Sequence, residues 1–193
     1  NNIDVNGDSI WYTRNGDIVT MHVTAKIFNN SSDNINMARA AKDIVSDIKS
    51  TYEGKFEWSD NKTYNLKVDM DLKVATSMKD VENSDHLFVL ADSDSKGARG
   101  ATSMLGGKVM TLASSDFANN NWLSNNLSYN KTFTATHEFG HAIGLSHSQN
   151  PFNIMKQGGV VHNSNSNQRV IMLQQQNNLN NNLVVDIYNL GLK

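Results

Sequence analysis

Hydrophobic and polar residues alternate along residues 18–28 (IVTMHVTAKIF) in the manner of a strand. Residues 65–75 (NLKVDMDLKVA) alternate strictly, with Leu66, Val68, Met70, Leu72 and Val74 on one face and Lys67, Asp69, Asp71 and Lys73 on the other. That is the pattern of a half-buried strand. Residues 86–91 (HLFVLA) and 108–113 (KVMTLA) are shorter and more fully apolar, and predict two further strands. Between 37 and 52 the period changes: Met37, Ala40, Ala41, Ile44, Val45 and Ile48 recur at helical spacing, with Asn36 or Asn34 as N-cap and Gly54 as stop. Residues 29–36 read as a polar loop and 93–107, rich in Ser and Gly, as another. A second helix is predicted over 131–143, ending at Gly144, a third near 166–176 and a last one near 181–190. The order strand, helix, three strands, helix, then a loop-rich tail describes a layer of sheet and helices of the α+β or α/β kind. No internal repeat is visible.

At 193 residues the chain suits one domain, or a small one of two lobes. A net charge of -2 gives no support to a nucleic-acid partner held by bulk charge. No apolar run approaches the ~18 residues needed to span a membrane, and no signal peptide is visible. The chain starts with Asn rather than Met, so a processed product is expected, with any export signal or pro-segment upstream. The absence of cysteine removes disulfides, thiolate metal sites and cysteine nucleophiles. Asn is heavily used and Pro occurs once, so the Asn-rich tracts read as polar loops and helix surface.

The chemistry concentrates in residues 134–158, TATHEFGHAIGLSHSQNPFNIMKQG. His137 and His141 stand four apart, so a helix brings both rings to one face, one turn apart. Two imidazoles there can hold one Zn²⁺ at about 2.0–2.1 Å each. Glu138, beside the first ligand, can reach a water at the metal without binding the metal itself. Gly144 can take positive φ, ending the helix and swinging His147 back as a third ligand. Three neutral nitrogens leave the fourth position open, the pattern of a catalytic rather than a structural zinc. Against this stand a helix carrying surface histidines and a zinc that only staples the fold. The composition makes the five fixed residues a chance event on the order of once in 10⁵ chains, and a staple has no use for Glu138.

HExxHxxGxxH followed by a methionine is the signature of the metzincin metalloproteases, which this segment resembles, with Met155 as the Met-turn residue. It is most similar to the matrixins: Ser148 follows the third histidine, Pro151 stands four beyond it and Met155 eight beyond it. Astacins and serralysins carry a Tyr two residues after that Met, where this chain has Gln157. The resemblance implies an α+β, metzincin-like fold: a mostly parallel twisted sheet with an antiparallel edge strand, two long helices, and a loop-rich C-terminal lobe with a Met-turn and a final helix. It implies a single catalytic domain over 1–193, with lobes of about 1–144 and 145–193 flanking a cleft. It implies a zinc-dependent metalloendopeptidase acting on peptide or protein substrates, with one catalytic zinc on His137, His141 and His147, Glu138 as general base, and Met155 as a floor beneath the ligands. Substrate is expected to lie along an edge strand above the zinc, for which 108–113 fits best, making Gly107, Lys108, Val109, Met110 and Thr111 substrate-binding residues. Selectivity is expected from residues 156–161. Vertebrate matrixins hold a second zinc with histidines of the loop before the fourth strand; residues 92–107 contain none, so one zinc is expected. A monomer, exported from the cell, is the expected form. The Asn-rich character also resembles the metallopeptidase toxin domains of large bacterial polymorphic toxins, which bears on delivery and target rather than on chemistry.

Other residues carry plainer readings. Asp92 and Asp94 are spaced like the start of a calcium loop, but the later acidic ligands are missing and calcium is not expected. His22 and His86 are read as structural or surface residues, His162 as surface, Ser148 as a turn hydrogen-bonder, and Asp69 and Asp71 as the solvated face of a strand. Trp11, Trp58 and Trp122 are read as packing residues. Two readings from other classes remain open: a toxin domain with one protein target, and a non-catalytic zinc-binding module.

Overall fold

The computed structural model describes residues 10–92, 100–118, 132–158 and 164–175. Among these residues seven strands form one sheet: β1 (Ile10–Asn15), β2 (Ile18–Asn30), β3 (Gly54–Glu57), β4 (Thr63–Ala75), β5 (His86–Ala91), β6 (Gly100–Thr102) and β7 (Val109–Ala113). The helices are α1 (Met37–Tyr52), α2 (Phe133–Ala142) and α3 (Ser166–Gln175). The strand order is β3-β4-β2-β5-β7-β6. The pairs β4–β2, β2–β5 and β5–β7 are parallel, whereas β3 and β6 join antiparallel at the two ends. The architecture is therefore α+β, with a parallel centre and antiparallel edges.

The long strand β2 organises the sheet. Its residues from Ile18 to Phe28 pair with β4 on one side. On the other side its first half pairs with β1 and its second half with β5. β1 reaches β2 through the tight turn at Gly16 and Asp17, where Gly16 takes φ +62. Gly at the first position of a two-residue loop is a hairpin signal, and the periodicity of residues 18–28 alone does not reveal this partner strand. β5 explains its own apolar run. Phe88 and Leu90 join the main core, while Leu87 and Val89 face the other way into a smaller cluster with Val109. Both faces are covered, so no polar alternation survives.

α1 starts where Asn36 accepts a hydrogen bond from the Arg39 N–H at 3.0 Å. It buries Ala40, Ala41, Ile44, Ile48 and Tyr52 and packs against β4 and α2. Its C-terminal carbonyls are met by Arg169 of α3, which donates to Tyr52 O at 2.8 Å and to Glu53 O at 3.0 Å. A cation at a helix C-terminus suits both the orphan carbonyls and the helix dipole. The final helix expected near 181–190 lies outside the described residues, as do Asp94, Trp122 and His162.

One expectation is corrected here. Residues 108–113 are not at the edge of the sheet. β7 is flanked by β5 on one side and by β6 on the other, with Ala101 paired to Thr111 and Thr102 to Met110. Lys108, Val109 and Met110 are buried. The edge belongs to β6, three residues inside the stretch that reads as a Ser/Gly loop. With both flanks of β7 already paired, its main chain has no row of open groups to offer a peptide.

Candidate metal centre and active site

α2 carries His137, Glu138 and His141, and its C-terminus is built to deliver His147. Gly144 takes φ +91. The Leu145 N–H reaches back to Gly140 O at 2.8 Å, and the Gly144 N–H to His141 O at 3.0 Å. These two bonds are the Schellman arrangement, which ends a helix through a residue of positive φ. The reversed chain then places His147 against the other two rings.

Ring centroids of the three histidines are 4.7 to 5.4 Å apart, and one ligand atom from each lies within 4.8 Å of the others. His137 Nδ1 lies 2.7 Å from Ile154 O, and His141 Nδ1 lies 2.6 Å from Leu145 O. A carbonyl only accepts, so both Nδ1 atoms carry the proton and both Nε2 atoms present a lone pair. His141 Nε2 stands 3.1 Å from His147 Nε2. Two nitrogens on one tetrahedral zinc at about 2.0–2.1 Å stand about 3.3 Å apart, so the donor set fits the ion. The backbone carbonyls orient the ligands as outer partners of a metal site do. Burial holds the His137 imidazole below the usual histidine range; the bond to Ile154 O opposes this, and His141 and His147 add to it. The neutral ring is the form that binds a metal. Among the described residues this is the single group of three that could hold an ion.

Met155 is fully buried, with its sulfur against Gly140 of α2, in a turn closed by Ser148 N–H to Met155 O at 2.8 Å. The turn is held by Asn153, whose Oδ1 accepts from the Met155 N–H at 2.9 Å. Asn153 and Gln168 exchange a reciprocal pair of amide bonds, 2.8 and 2.9 Å, in a buried setting. This pair ties the turn to α3. Ser148 accepts from the Asn150 N–H at 3.1 Å, as a turn residue.

Glu138 is 7% exposed. Its Oε2 lies 2.7 Å from Thr102 Oγ1 on β6. Burial pushes the carboxyl above the usual carboxylate range, against the Thr102 hydrogen bond and the nearby His141 and His147, which pull it down. Gly100, the alternate residue of β6, lies close over α2: a Cβ there would collide with Thr134 and come within 3.0 Å of Glu138 Cγ. A cleft of about 320 Å³ opens beside the cluster, lined by Thr102, Met104, Leu105, His141, Ser146 and His147. Met104 and Leu105 are 51% and 53% exposed, and their loop is fixed to α2 by the Gly106 N–H to His141 O at 2.8 Å. Of the residues expected to set selectivity, Lys156 is half-buried and Gln157 and Gly158 are exposed, while 159–161 lie outside the described residues.

The matrixin profile matches residues 12–177. The chain belongs to the matrixin family. This matrixin is a zinc metallopeptidase of the metzincin clan, and zinc is its cofactor. A search of curated proteins gives no match. Among solved structures it is similar to archaemetzincin from Methanopyrus kandleri, at 13% identity and TM-score 0.47, covering 80% of this chain and 96% of that one. It is similar to metalloproteinase-II from Bacteroides fragilis, at 15% identity and TM-score 0.46, covering 78% and 52%. A third is archaemetzincin from Archaeoglobus fulgidus complexed with malonate, at 16% identity and TM-score 0.38, covering 75% and 90%.

The other histidines lie elsewhere. His22 stacks on Trp11 and bonds to Thr13 and Asp69 on the sheet surface. His86 is buried in β5. Asp92 accepts a hydrogen bond from the Ser32 main chain.

Proposed function

We propose that this matrixin is an endopeptidase that holds an extended peptide along β6 and hydrolyses it with Glu138 as general base. His137, His141 and His147 hold the zinc, and Met155 supports them from below. The observation that carries the reading is the buried carboxylate of Glu138, tied to the open edge strand and adjoining three histidine nitrogens. Zinc, when bound, polarises the scissile carbonyl and lowers the pKa of a water to about 7. Glu138 receives the proton of that water on a carboxylate oxygen and hands it to the departing amine nitrogen. Its burial, which raises the carboxyl pKa, suits a group that must both take and return a proton near neutral pH.

The register of β6 on β7 supports a choice of main-chain groups for the peptide. The Ser103 N–H donates to Val109 O at 2.9 Å, so Ser103–Val109 is a hydrogen-bonded pair. Antiparallel pairs alternate; hence Ala101 bonds inward to Thr111, while Gly100 and Thr102 turn their N–H and C=O outward. Among the described residues no strand pairs with that outer edge. A peptide added there is read through its backbone anywhere along its length, which is endopeptidase behaviour. Met104 and Leu105, exposed beside the cleft, supply apolar contact for its side chains.

The test is Glu138→Ala. Turnover should fall by at least about 10²–10⁴-fold with zinc content and fold unchanged, since the base goes and the ligands stay. A zinc-loaded, folded variant with near-normal peptide hydrolysis would remove Glu138 from the chemistry.

A further inference from the structure

We infer that Thr102 is a positioning residue that ties the docking of a peptide on β6 to the orientation of the Glu138 carboxylate; the inference rests on the reading of Glu138 as the base. Thr102 Oγ1 lies 2.7 Å from Glu138 Oε2 and 2.9 Å from the backbone O of the same residue. The hydroxyl has a single proton to share between these two acceptors, and it holds the carboxylate beside its own main chain. It engages Oε2 and not Oε1. The strand around it leaves little alternative. Gly100 and Thr102 are two apart and share a face, and position 100 itself admits no side chain because Thr134 and Glu138 fill the space there. The hydroxyl of Thr102 is the side-chain group β6 presents to the carboxylate.

The same residue turns its N–H and C=O to the open edge, as the register of β6 and β7 requires. A peptide that pairs with β6 thus bonds to the main chain of the residue whose side chain holds the base. Docking fixes the Thr102 backbone, and the Thr102 hydroxyl carries that order to Glu138. No element of sequence pattern marks Thr102 for this task, since its partner is 36 residues away.

The experiment compares Thr102→Val and Thr102→Ser in the zinc-loaded chain, using a quenched fluorescent peptide selected from a library for cleavage by the wild type. Valine keeps the β-branched shape and removes the hydroxyl; serine keeps the hydroxyl. Thr102→Val should lose on the order of 10-fold or more in kcat, the scale of one hydrogen bond to a charged group, with KM changed by less than about twofold. Thr102→Ser should recover most of the rate. An unchanged kcat in Thr102→Val, a change confined to KM, or a serine variant as slow as the valine one would overturn the inference. So would loss of zinc or of thermal stability in step with the rate, which marks a residue that only holds the fold. A crystal structure of Thr102→Val supplies a readout independent of turnover: the Glu138 carboxylate should leave its position against the main chain, and an unmoved carboxylate would overturn the assignment. If the wild type cleaves no peptide, the endopeptidase reading fails, and the crystallographic comparison still judges Thr102.

Discussion

Tyr52 and Met155 meet against Gly140 of α2, with the Tyr52 hydroxyl 3.8 Å from Met155 Sδ and donating to Thr136 O at 2.9 Å. The last residue of α1 is thereby joined to the turn at Met155 and to α2, which carries His137 and His141. Gly140 makes the contact possible. A Cβ at Gly140 would lie 2.5 Å from Tyr52 Oη and collide with Met155 Sδ.

Gly140→Ala should therefore reverse the usual sign. Alanine in a helix interior ordinarily stabilises by roughly 0.5–1 kcal/mol relative to glycine. Here the methyl overpacks a filled site, and a loss of about 1–3 kcal/mol is expected. Met155→Ala, which empties the same site, should cost about 2–5 kcal/mol. Urea unfolding of both variants, with zinc content measured alongside, checks this. A Gly140→Ala protein more stable than the wild type would mean that Tyr52 and Met155 do not meet as described.

The chain should bind one zinc, and His147→Ala should bind it far more weakly than the wild type. His147 is the exposed member of the set, so its loss opens the site without emptying the core. A ligand that binds only the folded state stabilises it in proportion to the logarithm of its concentration. Chelation should then lower the melting temperature of the wild type and hardly move that of His147→Ala. Elemental analysis giving two tightly held zinc ions per chain would point to a second site.

The local parts of this centre were legible in the sequence. His137, Glu138 and His141 lie within five consecutive positions, where helical geometry fixes which rings share a face, and Gly144 announces the turn that returns His147. Of the parallel strands, β2 and β4 were legible from alternation, and β5 and β7 as short apolar runs. The rest depended on distance along the chain. β6 is three residues long inside a Ser/Gly-rich stretch, and only the sheet order shows that it, rather than 108–113, forms the edge. Tyr52 stood only at the end of the predicted helix with no role attached, because its partner Thr136 is 84 residues away. Asn153 was hidden in a chain full of Asn, and nothing short of the fold pairs it with Gln168.

Arg169→Lys should destabilise although the charge is kept. The guanidinium donates to Tyr52 O, Glu53 O and Lys55 O and to Ser164 Oγ, between 2.8 and 3.2 Å. A lysine ammonium cannot reproduce that planar fork. A loss of at least about 1.5–3 kcal/mol is expected, the scale of one hydrogen bond to a charged group. Gly54→Ala should act in the same direction, because its Cβ would come within 2.8 Å of the Arg169 guanidinium. Thermal melts of the two variants and their combination test the link: the double variant should lose less than the sum of the single losses, since both act on one set of bonds.

Acid sensitivity should trace in part to His86. Burial, with Lys108 nearby, pushes its imidazole down to about 3 from an ordinary value of 6.5. The unfolded chain takes up a proton near 6.5 and the folded chain only near 3, so between those values the unfolded state binds more protons. His86 therefore contributes its full stability above 6.5, loses it as the pH falls, and costs nothing further below about 3. The slope reaches about 1.4 kcal/mol per pH unit. His137 titrates in the same direction, but it is common to the wild type and to His86→Gln. The difference in unfolding free energy between those two proteins therefore isolates His86. It should shift against the wild type as the pH falls from about 6.5 to 5, at a rate that rises towards about 1.4 kcal/mol per unit. A difference that stays constant over that range would mean that His86 accepts a proton in the folded state, and that its packing edge-on to Phe139, 6.5 Å between ring centres, does not keep it neutral.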